Sequence, residues 1–280
     1  MMLRFHDTDL SDVEALLCDA DGNLFPSEEP AFVASADVTN DLLAAYGIDR
    51  RYSASELRLA TTGKNFRTTA VDLLAAAGIP FETSTPAAAA GDAAGADAAR
   101  VFGAAELERW VEREKREVTA HLGRTLRPDP DVVEPLRAAG ERFLLAAVSS
   151  SALARLDACF EMTGLAALIP PELRFSAEDS LPRPTSKPDP AIYRFAGEQL
   201  GLGPSQALAI EDSIPGAQSA VAAGFPTVGN VQFVPPSERD ERIVLLRDAG
   251  VLAVVSSWRE LEELLGDARG RPALQGQRGA

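Results

Sequence analysis

Asp19-Ala20-Asp21-Gly22-Asn23-Leu24 sets two carboxylates one residue apart, directly after the apolar run Ala15-Leu16-Leu17-Cys18 and directly before a glycine. The run reads as a buried parallel strand and the glycine as a tight turn. Both acids then stand at the carboxyl end of a strand, where open α/β sheets bind ligands. Side chains alternate along an extended chain, but the turn bends Asp21 back toward the cavity that Asp19 faces. The pair supplies one acid for metal binding and nucleophilic attack and a second for proton transfer. An Asp-x-Asp-Gly turn is common in loops, so the motif gains meaning only from what stands at the other strand ends.

Three further clusters follow, each at or just past the end of an expected strand. Ser149-Ser150-Ser151 ends the strand Leu144–Val148, and its hydroxyls with the N-terminus of the next helix suit a phosphate group; the plainer role is a helix cap. Lys187 lies in Thr185-Ser186-Lys187-Pro188-Asp189-Pro190, where prolines restrict the backbone and suit a positioned ammonium; the plainer role is an exposed loop lysine. Glu211-Asp212 ends the strand Ala207–Ile210. Adjacent acids crowd like charge there, and a divalent cation relieves it; the plainer role is capping of the next helix by Asp212. Each plain role stands singly. Together they fail, because a parallel sheet brings all four strand ends to one edge.

The elements that must position these residues alternate. Helix 132–139 leads to strand 142–148, helix 152–162 to a short strand near 173–175, and helix 190–200 to strand 207–210. Helix 215–223, strand 226–229, helix 239–249, strand 252–255 and helix 257–265 complete the series. This rhythm predicts an α/β fold, a doubly wound parallel sheet, with the first strand returning to the C-terminal half. The helices between, expected over 29–46, 64–77 and 104–122, then form an inserted helical cap. Residues 83–100 are Ala/Gly/Asp-rich and read as a flexible insertion or a weak solvent-facing helix. The domain expectation is a core of 1–27 and 129–266, a cap of 28–128 and a flexible tail of 267–280.

The 280 residues suffice for one large domain or two modest ones, and 46% hydrophobic with 25% charged content is that of a globular chain. A net charge of −15 with no basic stripe argues against nucleic acid as a partner. It leaves room for an anionic substrate, since a bound cation inverts the local field. Only Cys18 and Cys159 occur, too few for a disulfide framework, and a reducing cytoplasm is the expected location. Cys18 reads as a small buried hydrophobe. No stretch is apolar enough to span a bilayer, and the N-terminus lacks a signal-peptide core.

In order and context the four clusters resemble the signature of the haloacid dehalogenase superfamily, subfamily I with a helical cap. Asp19 and Asp21 match its first motif, Ser149 the second, Lys187 the third, and Glu211 with Asp212 the fourth; the stretch 209–224 is especially similar. The resemblance implies a Rossmann-like core and a Mg²⁺-dependent phosphatase acting on a small phosphorylated metabolite. Asp19 would form an aspartyl-phosphate and Asp21 would act as acid and base. Mg²⁺ would be held by Asp19, the carbonyl of Asp21, Asp212 and Glu211, the last directly or through water. Ser149, Ser150 and Lys187 would bind phosphoryl oxygens.

Asp21 itself favours phosphate esters, since dehalogenases of the superfamily lack an acid there. Asp-Gly-x-Leu followed by Ser27-Glu28 resembles the β-phosphoglucomutase and sugar-phosphatase branch. Mutases of that type carry a histidine soon after the first motif; Ala31 stands at that position, so hydrolysis is expected and mutase chemistry is the alternative. A non-catalytic binding or regulatory protein is the third reading, and the filled catalytic positions weigh against it. Asn23 and Pro26 depart from the branch's usual residues. Thr61–Arg67 resembles the cap loop that selects substrate, which makes Lys64 and Arg67 candidates for contact with a substrate anion or hydroxyl; helix-surface charges are the plain alternative.

Overall fold

The computed structural model describes residues 2–61, 65–82 and 101–270. Along the chain come β1 (Leu3–Arg4) and β2 (Ala15–Cys18), then α1 (Glu28–Ala45), α2 (Ala54–Ala60) and α3 (Phe66–Ala76). Next are β3 (Phe81–Glu82), β4 (Phe102–Gly103), α4 (Ala104–Thr125) and α5 (Pro130–Gly140). They are followed by β5 (Leu144–Ser149), α6 (Leu153–Thr163), β6 (Arg174–Ser176) and α7 (Ala191–Leu200). The series closes with β7 (Ala207–Glu211), α8 (Ile214–Ala222), β8 (Thr227–Asn230), α9 (Arg239–Asp248), β9 (Ala253–Val255) and α10 (Trp258–Gly270). Two compact units result, divided between Pro26 and Ser27 and again between Thr125 and Leu126.

The unit made of the two outer segments holds a seven-stranded sheet in the order β1-β9-β8-β7-β2-β5-β6. All neighbours are parallel except the edge pair β1 and β9. Every residue of β2 and β7 is buried, which explains why Ala15–Cys18 and Ala207–Ile210 are continuously apolar instead of alternating; only Glu211, at the carboxyl end of β7, is charged. Ala15, Leu17, Ala146, Val148, Ala207 and Ala209 pack with Ile192, Tyr193 and Ala196 of α7 and Ala220 of α8. Their neighbours Leu16, Cys18, Leu145, Ala147, Leu208 and Ile210 face the other way and are equally buried. That is the doubly wound architecture the strand–helix rhythm predicts.

The middle segment is a helical unit around Leu42, Leu43, Leu57, Leu74, Phe102 and Leu107, with α1 lying along α4. It carries a small parallel pair, β3 with β4, which two-residue strands leave invisible to periodicity. Helix α2 is also absent from the sequence reading, although Ser53 and Glu56 announce it: they form a reciprocal capping box. Helix α3 begins at Phe66 rather than at the expected residue 64, because the Asn65 side chain accepts the Thr68 N–H at 2.9 Å and caps it. At the other end of the chain α10 continues to Gly270, so residues 267–270 are helical rather than part of a flexible tail. The remainder of the expected tail, and the expected insertion at 83–100, lie outside the described residues. Among the described residues no helix is long and apolar enough to cross a membrane, and Cys18 and Cys159 are both buried and unpaired.

Candidate active site

Strand register assembles the site. Cys18 on β2 is level with Ala147 on β5 and with Ile210 on β7. One residue further along each strand stand Asp19, Val148 and Glu211, side by side at the carboxyl edge. The Asp19 N–H donates to the Ile210 carbonyl at 2.9 Å, so the chain follows β7 for one more residue before it turns. In the turn, Leu24 N–H donates to Ala20 O and Gly22 N–H to Phe25 O, each at 2.9 Å. Gly22 has φ +79°, and a Cβ there would run into the Asp212 carboxylate, so both backbone angle and space require glycine.

Asn23 binds this turn to its neighbours. Its side-chain amide donates to Asp19 O at 3.0 Å and Ile210 O at 3.1 Å, and accepts from the Asn230 amide at 2.9 Å. Its own carbonyl accepts the Trp258 indole N–H at 3.0 Å. All three side chains are buried, and a buried polar group stays buried only when its partners are present.

Lys187 reaches the edge from the loop before α7. Its ammonium donates to Asp19 Oδ1 at 2.5 Å, Glu211 Oε1 at 2.6 Å and the Val148 carbonyl at 2.8 Å. An ammonium has three N–H groups, and each has a protein partner here; action on a phosphoryl oxygen would be through charge or by exchange of one of these bonds. The side chain is only 5% exposed. Glu211 also accepts the Tyr193 phenol at 2.6 Å, and its carboxylate lies against Gly216, where any Cβ would overlap it.

Asp212 is not the cap of the following helix. Ser213 takes that part, its hydroxyl accepting the Gly216 N–H at 3.1 Å. An oxygen of Asp212 comes together with oxygens of Asp19 and Glu211, all within 4.8 Å of one another and all on buried residues. Arg242 donates to the Asp212 carbonyl at 2.8 Å and fixes the backbone there.

The Asp21 carboxylate stands apart from that trio. Ser151 donates to its Oδ2 at 2.7 Å and Arg155 to its Oδ1 at 2.8 Å. Ser149 does not cap α6 either: the Leu153 N–H donates to Asp179, while Ser149 Oγ accepts the Ser151 N–H at 3.0 Å and keeps its own proton to donate. Ser150 Oγ accepts the Lys187 backbone N–H at 3.1 Å, which ties the second cluster to the third. In the helical unit Arg67 is ion-paired with Glu108 through both terminal guanidinium nitrogens; Lys64 lies outside the described residues.

Electrostatically, three buried carboxylates face one ammonium. Burial raises the Asp19 carboxyl, Lys187 pulls it down, and the charges of Glu211 and Asp21 raise it again, to about 8 with all of them acting. Burial opposes the Lys187 charge, but Asp19 and Glu211 outweigh that and hold its pKa above the ordinary lysine value. The excess negative charge, the all-oxygen donors and the close convergence suit a hard divalent cation such as Mg²⁺. Asp19, Glu211 and Asp212 are the residues that fit it.

Four residues of the constellation carry no advance signal in the sequence. Tyr193, Arg155, Asn230 and Trp258 come from four separate elements and meet the motifs only in three dimensions. Asn23 was visible as a departure from the family pattern, and its bonds give that departure a structural sense.

A family model described as haloacid dehalogenase-like hydrolase matches residues 13–224. Among curated proteins, a CBBY-like protein of Arabidopsis thaliana is 42% identical over 57 residues, 20% of this chain; the match spans only 17% of that relative. Among solved structures, a HAD-family hydrolase of Deinococcus radiodurans with bound phosphate and sodium is similar with TM-score 0.61 and 24% identity, over 92% of this chain and 97% of that one. CbbY of Rhodobacter sphaeroides in complex with xylulose-(1,5)-bisphosphate is similar with TM-score 0.59 and 22% identity, over 89% and 96%. At such identities the likeness speaks for the fold.

Proposed function

Since the chain belongs to the haloacid dehalogenase-like hydrolases, we propose that it is a Mg²⁺-dependent phosphatase of small phosphate monoesters, in the sugar or polyol phosphate class. One observation carries the reading: the buried convergence of Asp19, Glu211 and Asp212, the first two held by the Lys187 ammonium, with a second acid, Asp21, two residues from the first. The bisphosphate in the Rhodobacter relative's structure and the phosphate in the Deinococcus one support the substrate class.

In this reading Asp19 attacks phosphorus, a new carboxylate-oxygen-to-phosphorus bond forms, and the ester bond breaks. Asp21 gives its proton to the departing oxygen, then takes one from the water that cleaves the aspartyl-phosphate. The Arg155–Asp21 ion pair has to open before that proton passes. Lys187 pulls the Asp19 pKa down against burial and holds the carboxylate in place, and the Ser149 hydroxyl, one strand away, would donate to a phosphoryl oxygen. Mg²⁺ held by Asp19, Glu211 and Asp212 would offset the repulsion between nucleophile and phosphate. With Cys18 and Cys159 reduced, a cytoplasmic location belongs to the same proposal.

The purified protein with p-nitrophenyl phosphate and Mg²⁺ tests this. Phosphate release that vanishes in Asp19→Asn supports it. No release from that ester or from a panel of sugar phosphates overturns it, and isomerised sugar phosphate without free phosphate replaces it with mutase chemistry.

A further inference from the structure

We propose that Tyr193 is a positioning residue of this site, whose phenol fixes the Glu211 carboxylate toward Lys187 and so sets the geometry in which Glu211 serves the metal. The inference rests on the metal-dependent reading above and assigns a residue to it.

Tyr193 is fully buried near the start of α7, six residues after Lys187. Its ring lies among Ala15, Leu17, Ala146, Ala207 and Ala209, an environment a phenylalanine would fill without leaving a hydroxyl to satisfy. A buried phenol needs a partner, and this one has Glu211 Oε1 at 2.6 Å. The same oxygen accepts from Lys187 Nζ at 2.6 Å, and that ammonium stands 5.1 Å from the centroid of the Tyr193 ring. One rigid aromatic therefore touches both the acid and the cation, by hydrogen bond and by cation–π attraction.

The terminal torsion of a glutamate is broad and roughly two-fold. Lys187 alone would leave it loosely held, since that ammonium sits on a flexible four-carbon stem and shares itself with Asp19 and Val148 O. Tyr193 reaches its contact from the packed side of α7, and with the ammonium it engages Oε1. The other oxygen, Oε2, accepts only a long bond from the Ser213 hydroxyl, at 3.4 Å. Two short donors on Oε1 and one long one on Oε2 set the plane of the carboxylate and the direction of its remaining lone pairs, which is how outer partners tune a metal ligand.

Tyr193→Phe keeps the ring and its packing and removes only the hydroxyl. The test is Mg²⁺ titration by calorimetry on the metal-stripped full chain, together with p-nitrophenyl phosphate kinetics. We expect the Mg²⁺ Kd to rise about tenfold, the lower end of the usual effect of losing an outer partner. kcat at sub-saturating Mg²⁺ should fall while KM for the ester stays within about twofold. Phe225→Leu is the control: Phe225 packs on Tyr193 with ring centroids 6.4 Å apart and has no bond to Glu211, so it should lower the melting temperature without moving the Mg²⁺ Kd. A Tyr193→Phe Kd equal to that of the wild type overturns the inference alone. So does a Phe225→Leu Kd weakened as much as that of Tyr193→Phe, since packing would then explain both. A wild-type protein that neither binds Mg²⁺ nor releases phosphate overturns the phosphatase reading, and this one with it.

Discussion

Lys187→Met should be the most damaging single change to the metal-free protein that leaves chain length and packing volume nearly intact. The ammonium satisfies Asp19 and Glu211 at 2.5 and 2.6 Å, and these partners are 9% and 0% exposed at the side chain. Deleting it strands two buried carboxylates, with Asp212 beside them. Breaking a buried ion pair by removing one partner costs about 3–5 kcal/mol. A change of that size lowers Tm by roughly 6–20 °C, at about 2–4 °C per kcal/mol for a unit of this order. Trp258 is the reporter, because it is buried and bonded to the Asn23 carbonyl; a Trp110→Phe background leaves it as the sole tryptophan of the two in the chain.

The deficit has a pH signature. The folded-state pKa of Asp19 is raised from 3.8 to about 8, chiefly by burial, so between these values the native state binds more protons than the unfolded chain. Stability of the metal-free protein therefore declines as pH rises through that window. Loss of the ammonium steepens the decline, so Lys187→Met should approach its parent near pH 5 and fall furthest behind near pH 8. Adding Glu211→Gln should restore part of the loss by removing one stranded charge. A Lys187→Met protein melting within about 2 °C of its parent at pH 8, or one whose deficit does not vary with pH, would refute the claim that the ammonium holds these acids together.

Two further outcomes are expected. Asn23→Val leaves the Asp19, Ile210 and Asn230 partners short of a bond; at about 1–3 kcal/mol for a buried polar group left unsatisfied, chemical denaturation should show a clear loss of stability, and phosphate release should slow because the turn bearing Asp19 is loosened. An unchanged denaturation midpoint would count against the network. Both cysteines should resist a thiol reagent such as DTNB at pH 8 until the protein unfolds: burial, assisted by the Asp21 charge, lifts Cys159 to about 12, and burial with the neighbouring Asp19 lifts Cys18 further, so almost no thiolate exists at that pH. Stoichiometric labelling of the native protein within minutes would contradict this.

The sequence by itself determined the architecture and the places of the candidate site residues within it. Short apolar runs alternating with helical periodicity admit one economical arrangement, a parallel sheet covered on both faces, and such a sheet must gather its strand ends. Asp19, Ser149, Lys187 and Glu211 were placed at those ends from local pattern alone, because burial period and turn chemistry are properties of neighbouring residues. Where the pattern is too short, as in β1, β3 and β4, or where Asn65 rather than its neighbour caps a helix, local reading fell short. Tertiary structure alone decided who touches whom. Lys187 spends its three donors on Asp19, Glu211 and Val148 O; Ser213 caps α8 and releases Asp212; Arg155 holds Asp21; Tyr193 and Trp258 close the circle from distant helices. Apart from the local Ser213 cap, these partnerships join residues tens to hundreds of positions apart, and they depend on inter-strand register and on how each helix rotates against the sheet, quantities that packing sets and no local stretch of sequence encodes.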